Sequence, residues 1–231
     1  MELSLLSQLN TERAARRAAI LVTDMTAGSQ RLIKRDFAYR DDPLAEEFDK
    51  RFLSGKSGLV KTDAGEAFLT VSVPAPRLVL IGAVHISQAL VPMAEIAGFN
   101  VSVIDPRTAF ATEDRFPGSS LLAEWPEDVL RVEPFDPYTA VAAVTHDPKI
   151  DDYPLMEALK TGCFYVGALG SKKTHGKRLE RFREAGLSED VMSRIEAPIG
   201  LDVGAASPQE IAVAVLASVI KALRKPEGVS P

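Results

Sequence analysis

The sequence predicts an α/β protein: a Rossmann-like, doubly wound and mostly parallel sheet, with a small N-terminal α+β domain. Two observations support this fold class. Beyond residue 76, short apolar runs alternate with helical segments at the spacing of βαβ units. The strongest run, residues 78–81, is apolar at every position. Such a run is typical of a parallel strand that helices cover on both faces.

The N-terminal part mixes helix and strand patterns and ends at a proline-rich linker. We expect strands at 19–23, 30–34, 58–61 and 67–73, an opening helix, and a second helix capped by Asp42 with Pro43 in its first turn. Residues 73–76 contain two prolines, which stop both helix and sheet pairing. The predicted domains are therefore residues 1–73 and 74–231.

The second domain shows a longer α/β series. Its expected strands are 78–81, 101–104, 121–123, 139–144 and 163–169, and its expected helices are 86–97, 126–130, 153–159, 171–184 and 207 to about 223. The last helix opens with Ser207-Pro208-Gln209-Glu210, which is a capping box with proline at the first helical position. Because this helix is apolar nearly all round, we expect it to be largely buried.

The composition is that of an ordinary globular protein and disfavours several functional classes. The chain has 231 residues, 46% of them hydrophobic and 26% charged, and a net charge of −5. A negative chain does not bind nucleic acid by charge alone, and no apolar stretch reaches the ~20 residues of a membrane span. One cysteine excludes an internal disulfide, and the first residues lack a signal-peptide pattern. A cytoplasmic location is expected.

All three histidines, His85, His146 and His175, follow apolar strand-like runs. In an open parallel sheet, the carboxyl ends of the strands line the crevice where ligands bind. The sequence therefore predicts a small-molecule site at that edge of the sheet.

The first strand-to-helix turn contains Gly82, Ala83, Val84 and His85. Gly82 and Asp105 match a dinucleotide fingerprint, but Val84 stands where glycine would let the backbone approach a pyrophosphate. This mismatch disfavours NAD(P). Phosphate binding at the helix N-terminus and a plain structural turn both stay open.

A second candidate site opens the helix at residue 171. Its residues are Gly170, Ser171, Lys172, Lys173, Thr174 and His175. Ser171 can cap the helix, but two lysines in the first turn oppose the helix dipole. A phosphate bound at that helix end would explain them. The alternatives are a solvated basic face and, for His175, packing on the sheet.

Three further acidic positions complete the candidate site. Asp105 and Arg107 suit ribose-like hydroxyls or a phosphate, or form an internal salt bridge. His146 next to Asp147 suits a general base, a metal ligand or a loop clamp, and Asp147 can instead cap the following helix. Asp202, between two glycines, can face the crevice.

No catalytic or metal site is predicted. The histidines lie in separate loops without the short spacing of metal ligands. The sequence has no serine elbow and no Walker loop. Cys163 is expected to be a buried, inert thiol, with a sulfur-carrying role as the alternative.

Taken together, several of these segments resemble the XdhC/CoxI family of molybdenum-enzyme accessory proteins. They are LVLIGAVH (78–85), VIDPR (103–107), RFP (115–117), THD (145–147), YVGALGS (165–171), TH (174–175) and PIGLD (198–202), with Gly204 and Ser207-Pro208. The resemblance spans residues 77–223 in the family's order. It differs at the turn after Gly82, and the chain lacks the Gly-Ser-x-Pro-Arg and Gly-Gly-Cys motifs of longer members, so it resembles a short form.

The resemblance implies a homodimeric, non-catalytic chaperone that binds the molybdenum cofactor (molybdopterin). Such a protein supports sulfuration of the cofactor with a cysteine desulfurase and delivers it to a xanthine dehydrogenase-type enzyme. The cofactor's phosphate suits the helix end at Ser171 and Lys172. Two alternatives remain at this point: an NAD(P)-dependent oxidoreductase on the same fold, and a scaffold that docks a partner protein.

Overall fold

The computed structural model describes residues 2–36, 38–62 and 65–225, which form two compact units, Met1–Pro74 and Ala75–Pro231. The first unit contains helices α1 (Leu3–Ala14) and α2 (Ala45–Ser54) and strands β1 (Ala19–Asp24), β2 (Gln30–Lys34), β3 (Gly58–Thr62) and β4 (Gly65–Ser72). In the second unit the strands are β5 (Arg77–Ile81), β6 (Asn100–Ile104), β7 (Ser120–Leu122), β8 (Thr139–Ala143), β9 (Tyr165–Ala168) and β10 (Ile195–Glu196). Its helices are α3 (His85–Ile96), α4 (Pro126–Val132), α5 (Pro148–Lys160), α6 (Lys172–Glu184), α7 (Glu189–Met192) and α8 (Pro208–Arg224).

The first unit is an antiparallel sheet in the order β2-β1-β4-β3. Helix α2 buries Phe48 and Phe52, one turn apart, so it presents one apolar face. The expected start of α2 at Asp42 is wrong, because the N-cap is Leu44. The Asp42 carboxylate instead pairs with Arg31 and accepts the Leu44 N–H at 3.0 Å, which forms a turn before the helix.

The second unit confirms the predicted fold class. Its six strands are all parallel in the order β7-β6-β5-β8-β9-β10, which is the doubly wound Rossmann order. Along β5, Leu78 and Leu80 pack into one apolar cluster with α3 and α8, whereas Val79 and Ile81 pack into a second cluster with α4 and α5. Burial on both faces explains the uninterrupted apolar run.

Three features of the second unit differ from expectation. The sequence did not predict β10 or α7, which are too short to show a periodic pattern. Helix α5 begins at Pro148 rather than residue 153, because Asp147 is its N-cap. Helix α8 is less buried than expected, since Val213 and Ile220 are exposed. Within the residues that the structure describes, no helix is both long and apolar enough to cross a membrane.

Candidate functional site

The site candidates lie in loops that leave the parallel sheet at its carboxyl edge. Because all six strands run in the same direction, the loops after β5, β6, β8, β9 and β10 begin at one edge. The crevice is expected where the strand order reverses, between β5 and β8. His85 and His146, on either side of this point, are both exposed.

The turn after β5 packs against the loop after β8. Gly82 has a φ of +119°, and a Cβ at this position would lie 2.6 Å from Thr145 Cγ2. The carbonyl of Gly82 accepts a hydrogen bond of 2.6 Å from the buried Ser87 hydroxyl. A side chain at position 82 would therefore displace one of two adjoining loops.

Asp105 points into the protein. Its carboxylate is 0% exposed and accepts hydrogen bonds from the Ala83 N–H at 2.8 Å and from Arg107 Nη2 at 2.7 Å. Arg107 also donates to it from the backbone N–H and from Nε, both at 2.9 Å. Burial raises the pKa of Asp105, but these hydrogen bonds outweigh it, so the pKa is lowered. The expectation that Asp105 contacts ligand hydroxyls is therefore corrected: the internal salt bridge is present, and Asp105 positions the turn.

Arg115 holds the same turn from the other side. Its Nη1 donates to the Ala83 carbonyl at 2.9 Å, and its Nη2 donates to Gln88 Oε1 at 2.9 Å. The reasoning from residue chemistry missed Arg115, because it stands in an irregular loop. The only signal was its place in the RFP segment of the family resemblance.

The loop after β8 is held in an uncommon conformation. His146 has a φ of +68°, a value that non-glycine residues rarely adopt. The buried Asp151 carboxylate accepts the His146 N–H at 3.1 Å and the Thr145 hydroxyl at 2.7 Å. Asp147 caps α5 by accepting the Lys149 N–H at 3.0 Å. The Asp147 cap is thus present, whereas the clamp on this loop is the Asp151 carboxylate and not the side chain of His146, which is left exposed.

A buried carboxylate and a buried guanidinium connect the loop after β8 to the loop after β9. Arg178 Nη2 lies 4.0 Å from Asp151 Oδ2 and donates to the Leu169 carbonyl at 3.4 Å. Among the described residues, Arg178 Nη1 and His175 Nδ1 have no hydrogen-bond partner. Burial, and then the charge of Arg178, lower the pKa of His175, which favours its neutral form. Residue chemistry alone did not single out Asp151 or Arg178, because charged residues in helices usually face solvent.

Replacing Asp151 with asparagine should change how stability depends on pH. Burial raises the pKa of Asp151 to about 6, above the ~3.9 of an unfolded chain. The folded state therefore binds this proton more tightly, and ionising Asp151 disfavours folding as pH rises through 6. As pH falls from 7 to 4, we expect the free energy of unfolding of wild type to rise by about 2 kcal/mol relative to that of Asp151→Asn. The measurement is the free energy of unfolding from urea denaturation at each pH. If wild type and Asp151→Asn showed the same change between pH 7 and pH 4, the prediction would be contradicted.

The N-terminus of α6 has the features that the sequence predicts for an anion site. Ser171 caps the helix by accepting the Thr174 N–H at 3.2 Å, and the first turn contains no acidic residue. Lys172 and Lys173 are exposed, and no described residue forms an ion pair with either. Helix dipole and lysine charge therefore attract an anion to the same place. Arg181, further along α6, pairs with Asp152 and does not extend this positive charge.

Asp202 and Cys163 have little part in the candidate site. Asp202 is exposed in the loop between β10 and α8, and no hydrogen bond or ion pair joins it to the other candidates in the described part of the chain. Cys163 is buried, and burial raises the pKa of its thiol to about 11, as expected of an inert thiol. Residues 2–36, 38–62 and 65–225 contain no group of three metal-ligating side chains.

Comparisons with known proteins identify the family of the second unit. The model of the XdhC Rossmann domain matches residues 78–219. The chain is 32% identical to the uncharacterized protein YqeB of Escherichia coli (strain K12), covering 75% of this chain and 33% of that protein. It is 32% identical to a probable xanthine dehydrogenase subunit of Bacillus subtilis (strain 168), covering 66% and 44%. For the molybdenum cofactor insertion chaperone PaoD of E. coli K12, the identity is 30%, over 63% and 40%.

A solved structure supports the fold. The crystal structure of a xanthine dehydrogenase from Bacillus halodurans aligns with a TM-score of 0.60 and 22% identity, over 99% of this chain and 82% of that chain. The chain spans less than half of the length of the three curated relatives that it matches. The domain match covers more than half of the chain, and we conclude that the chain belongs to the XdhC family, with residues 78–219 as its XdhC Rossmann domain.

Proposed function

We propose that this chain is a molybdenum cofactor chaperone. It binds the cofactor at the carboxyl edge of its parallel sheet, carries it, supports its sulfuration and inserts it into a xanthine dehydrogenase-type enzyme. Two relatives carry names from this process: a molybdenum cofactor insertion chaperone, and a protein named as a probable component of xanthine dehydrogenase. A cysteine desulfurase as sulfur donor, a homodimer and a cytoplasmic location are parts of the proposal that rest on the family resemblance and the sequence.

The observation that carries the proposal is the convergence of exposed polar groups on one edge of the sheet. Molybdopterin joins a pterin, which has several hydrogen-bond donors and acceptors, to a phosphate. Ser171, Lys172 and Lys173 at the α6 N-terminus suit the phosphate. The exposed imidazoles of His85 and His146 are available to the polar edge of the pterin.

The geometry disfavours the rival dinucleotide function. Val84 replaces the glycine that lets a pyrophosphate approach the backbone. The Ala83 N–H, in the same turn, already donates to Asp105, and Asp105 is buried against Arg107 instead of facing a ribose. We therefore expect no binding in an equilibrium titration with NADH. Micromolar affinity for NADH would favour the oxidoreductase instead.

A carrier needs binding groups but no nucleophile. Cys163 is buried and its thiol has a raised pKa, so it does not supply a thiolate at the candidate site. The buried Asp151 is occupied by Thr145 and His146. These contacts support a binding role rather than a catalytic one.

Neutralising both lysines of the α6 N-terminus should weaken cofactor binding about ten-fold, because two charge-assisted contacts to the phosphate are lost. The measurement is the dissociation constant of purified protein for molybdopterin, for wild type and for Lys172→Ala/Lys173→Ala.

The matched control is Lys221→Ala/Lys225→Ala. It changes the net charge equally but lies at the end of α8, beside the start of β9. We expect this control to bind like wild type. Equal losses in both double variants would mean that only overall charge matters, and unchanged affinity in the α6 variant would remove the phosphate assignment.

A further inference from the structure

The carboxyl edge of the parallel sheet differs in chemistry from one end to the other. Among the described aromatic residues of the second unit, only Phe110 and Trp125 are exposed, at 41% and 48%. Both follow strands at the β6–β7 end of the edge. Lys172 and Lys173 lie at the β9 end. Exposed aromatic rings at one end and exposed cations at the other suit a ligand with a flat end and an anionic end.

The Phe110 ring lies against two arginine side chains whose positions are fixed by other contacts. The guanidinium carbon of Arg107 lies 4.5 Å from the centroid of the Phe110 ring, and that of Arg115 lies 5.7 Å from it. Both guanidinium groups are held by hydrogen bonds, because Arg107 is bound to Asp105 and Arg115 is bound to the Ala83 carbonyl. Arg115 is thus held by the turn after β5, and Arg107 is held by Asp105, which itself accepts a hydrogen bond from that turn.

Such a stack is suited to planar heterocycles. Aromatic side chains and guanidinium planes bind flat, nitrogen-rich rings by stacking, and a rigid platform loses little conformational entropy on binding. The loops after β6 and β9 are separated by β5 and β8, so their strands are three spacings, or ~14 Å, apart. The aromatic end and the lysine end therefore cannot both contact one compact group.

We propose that Phe110, backed by Arg107 and Arg115, stacks the pterin ring of the ligand, while the α6 N-terminus binds its phosphate. This inference rests on the proposed function and deepens it, because it assigns the two ends of the ligand to two separate subsites. The two subsites should then respond independently to substitution.

The test uses two probes that each carry one end of the ligand: biopterin, which has no phosphate and no metal, and inorganic phosphate. Equilibrium dialysis gives the affinity of each probe for wild type and variants. Phe110→Ala should weaken biopterin binding about five-fold or more and leave phosphate binding unchanged. Lys172→Ala/Lys173→Ala should show the opposite pattern.

Two further variants keep the test specific. Phe110→Tyr retains the ring and should bind biopterin like wild type, which separates stacking from a general loss of structure. Phe68→Ala removes a Phe of similar exposure, 37%, from β4 in the first unit and should bind both probes normally.

Failure of biopterin to bind wild type, or unchanged biopterin affinity in Phe110→Ala, would overturn the inference. If wild type still bound molybdopterin in either case, the proposed function would stand, whereas loss of molybdopterin binding itself would remove both. A Phe110→Ala variant that binds biopterin normally but no longer delivers cofactor would assign Phe110 to partner docking instead.

Discussion

Gly82→Ala is expected to lower the free energy of unfolding of the second unit by about 4 kcal/mol, the sum of backbone strain and a steric clash. Gly82 has a φ of +119°, a conformation that L-residues rarely adopt. The added Cβ would lie 2.6 Å from Thr145 Cγ2, so the β5 turn or the β8 loop must shift. Because His85 and His146 stand in these loops, cofactor binding should weaken as well.

Urea denaturation followed by tryptophan fluorescence measures this effect in the correct unit, since Trp125 is the only tryptophan. Gly98→Ala is the matched control: its φ is +88°, but nothing lies within 4 Å of the added Cβ. It should show strain alone, about 1–2 kcal/mol. Adding Thr145→Ser to Gly82→Ala removes the clashing methyl and should recover part of the loss. Equal losses for Gly82→Ala and Gly98→Ala would show that the clash is absent.

Asp105→Ala is expected to lower the free energy of unfolding by about 3 kcal/mol, because it leaves the Ala83 N–H without its acceptor and Arg107 without its ion pair. The partial exposure of Arg107, 32% of its side chain, lets water stabilise the freed charge and keeps the loss below that of a fully buried pair. The turn after Gly82 also loses one of its two anchors, so cofactor affinity should fall with stability.

The pH dependence gives this prediction a second readout. The pKa of Asp105 is lowered in the folded state, so its contribution is present above the unfolded pKa of ~3.9 and is lost as pH falls through the folded pKa. The stability gap between wild type and Asp105→Ala should therefore be constant near neutral pH and shrink below about pH 4. Asp202→Ala is the control, since this acid is exposed at the same edge and should change stability by less than about 0.5 kcal/mol. A pH-independent gap, or an equal loss in the control, would refute the proposed role of Asp105.

Most elements of the fold could be predicted because their signals are local. The apolar run of β5, the Ser171 cap of α6 and the Ser207 capping box of α8 each depend on residues within one turn or one strand. Elements with weak local signals were missed or misplaced. Strand β10 has two residues, and its pairing with β9 depends on neighbours about 30 positions earlier in the chain.

The same contrast between local and long-range signals applies to the candidate site. The sequence by itself determined the fold class, the family resemblance and which residues stand at the carboxyl ends of the strands, because each follows from short patterns. Only the tertiary structure decided which of these side chains face the crevice. Ala83 is held by Asp105, 22 positions away, and by Arg115, 32 positions away. Such long-range partners turn Asp105 inward and fix the arginines against Phe110, and no local pattern encodes them.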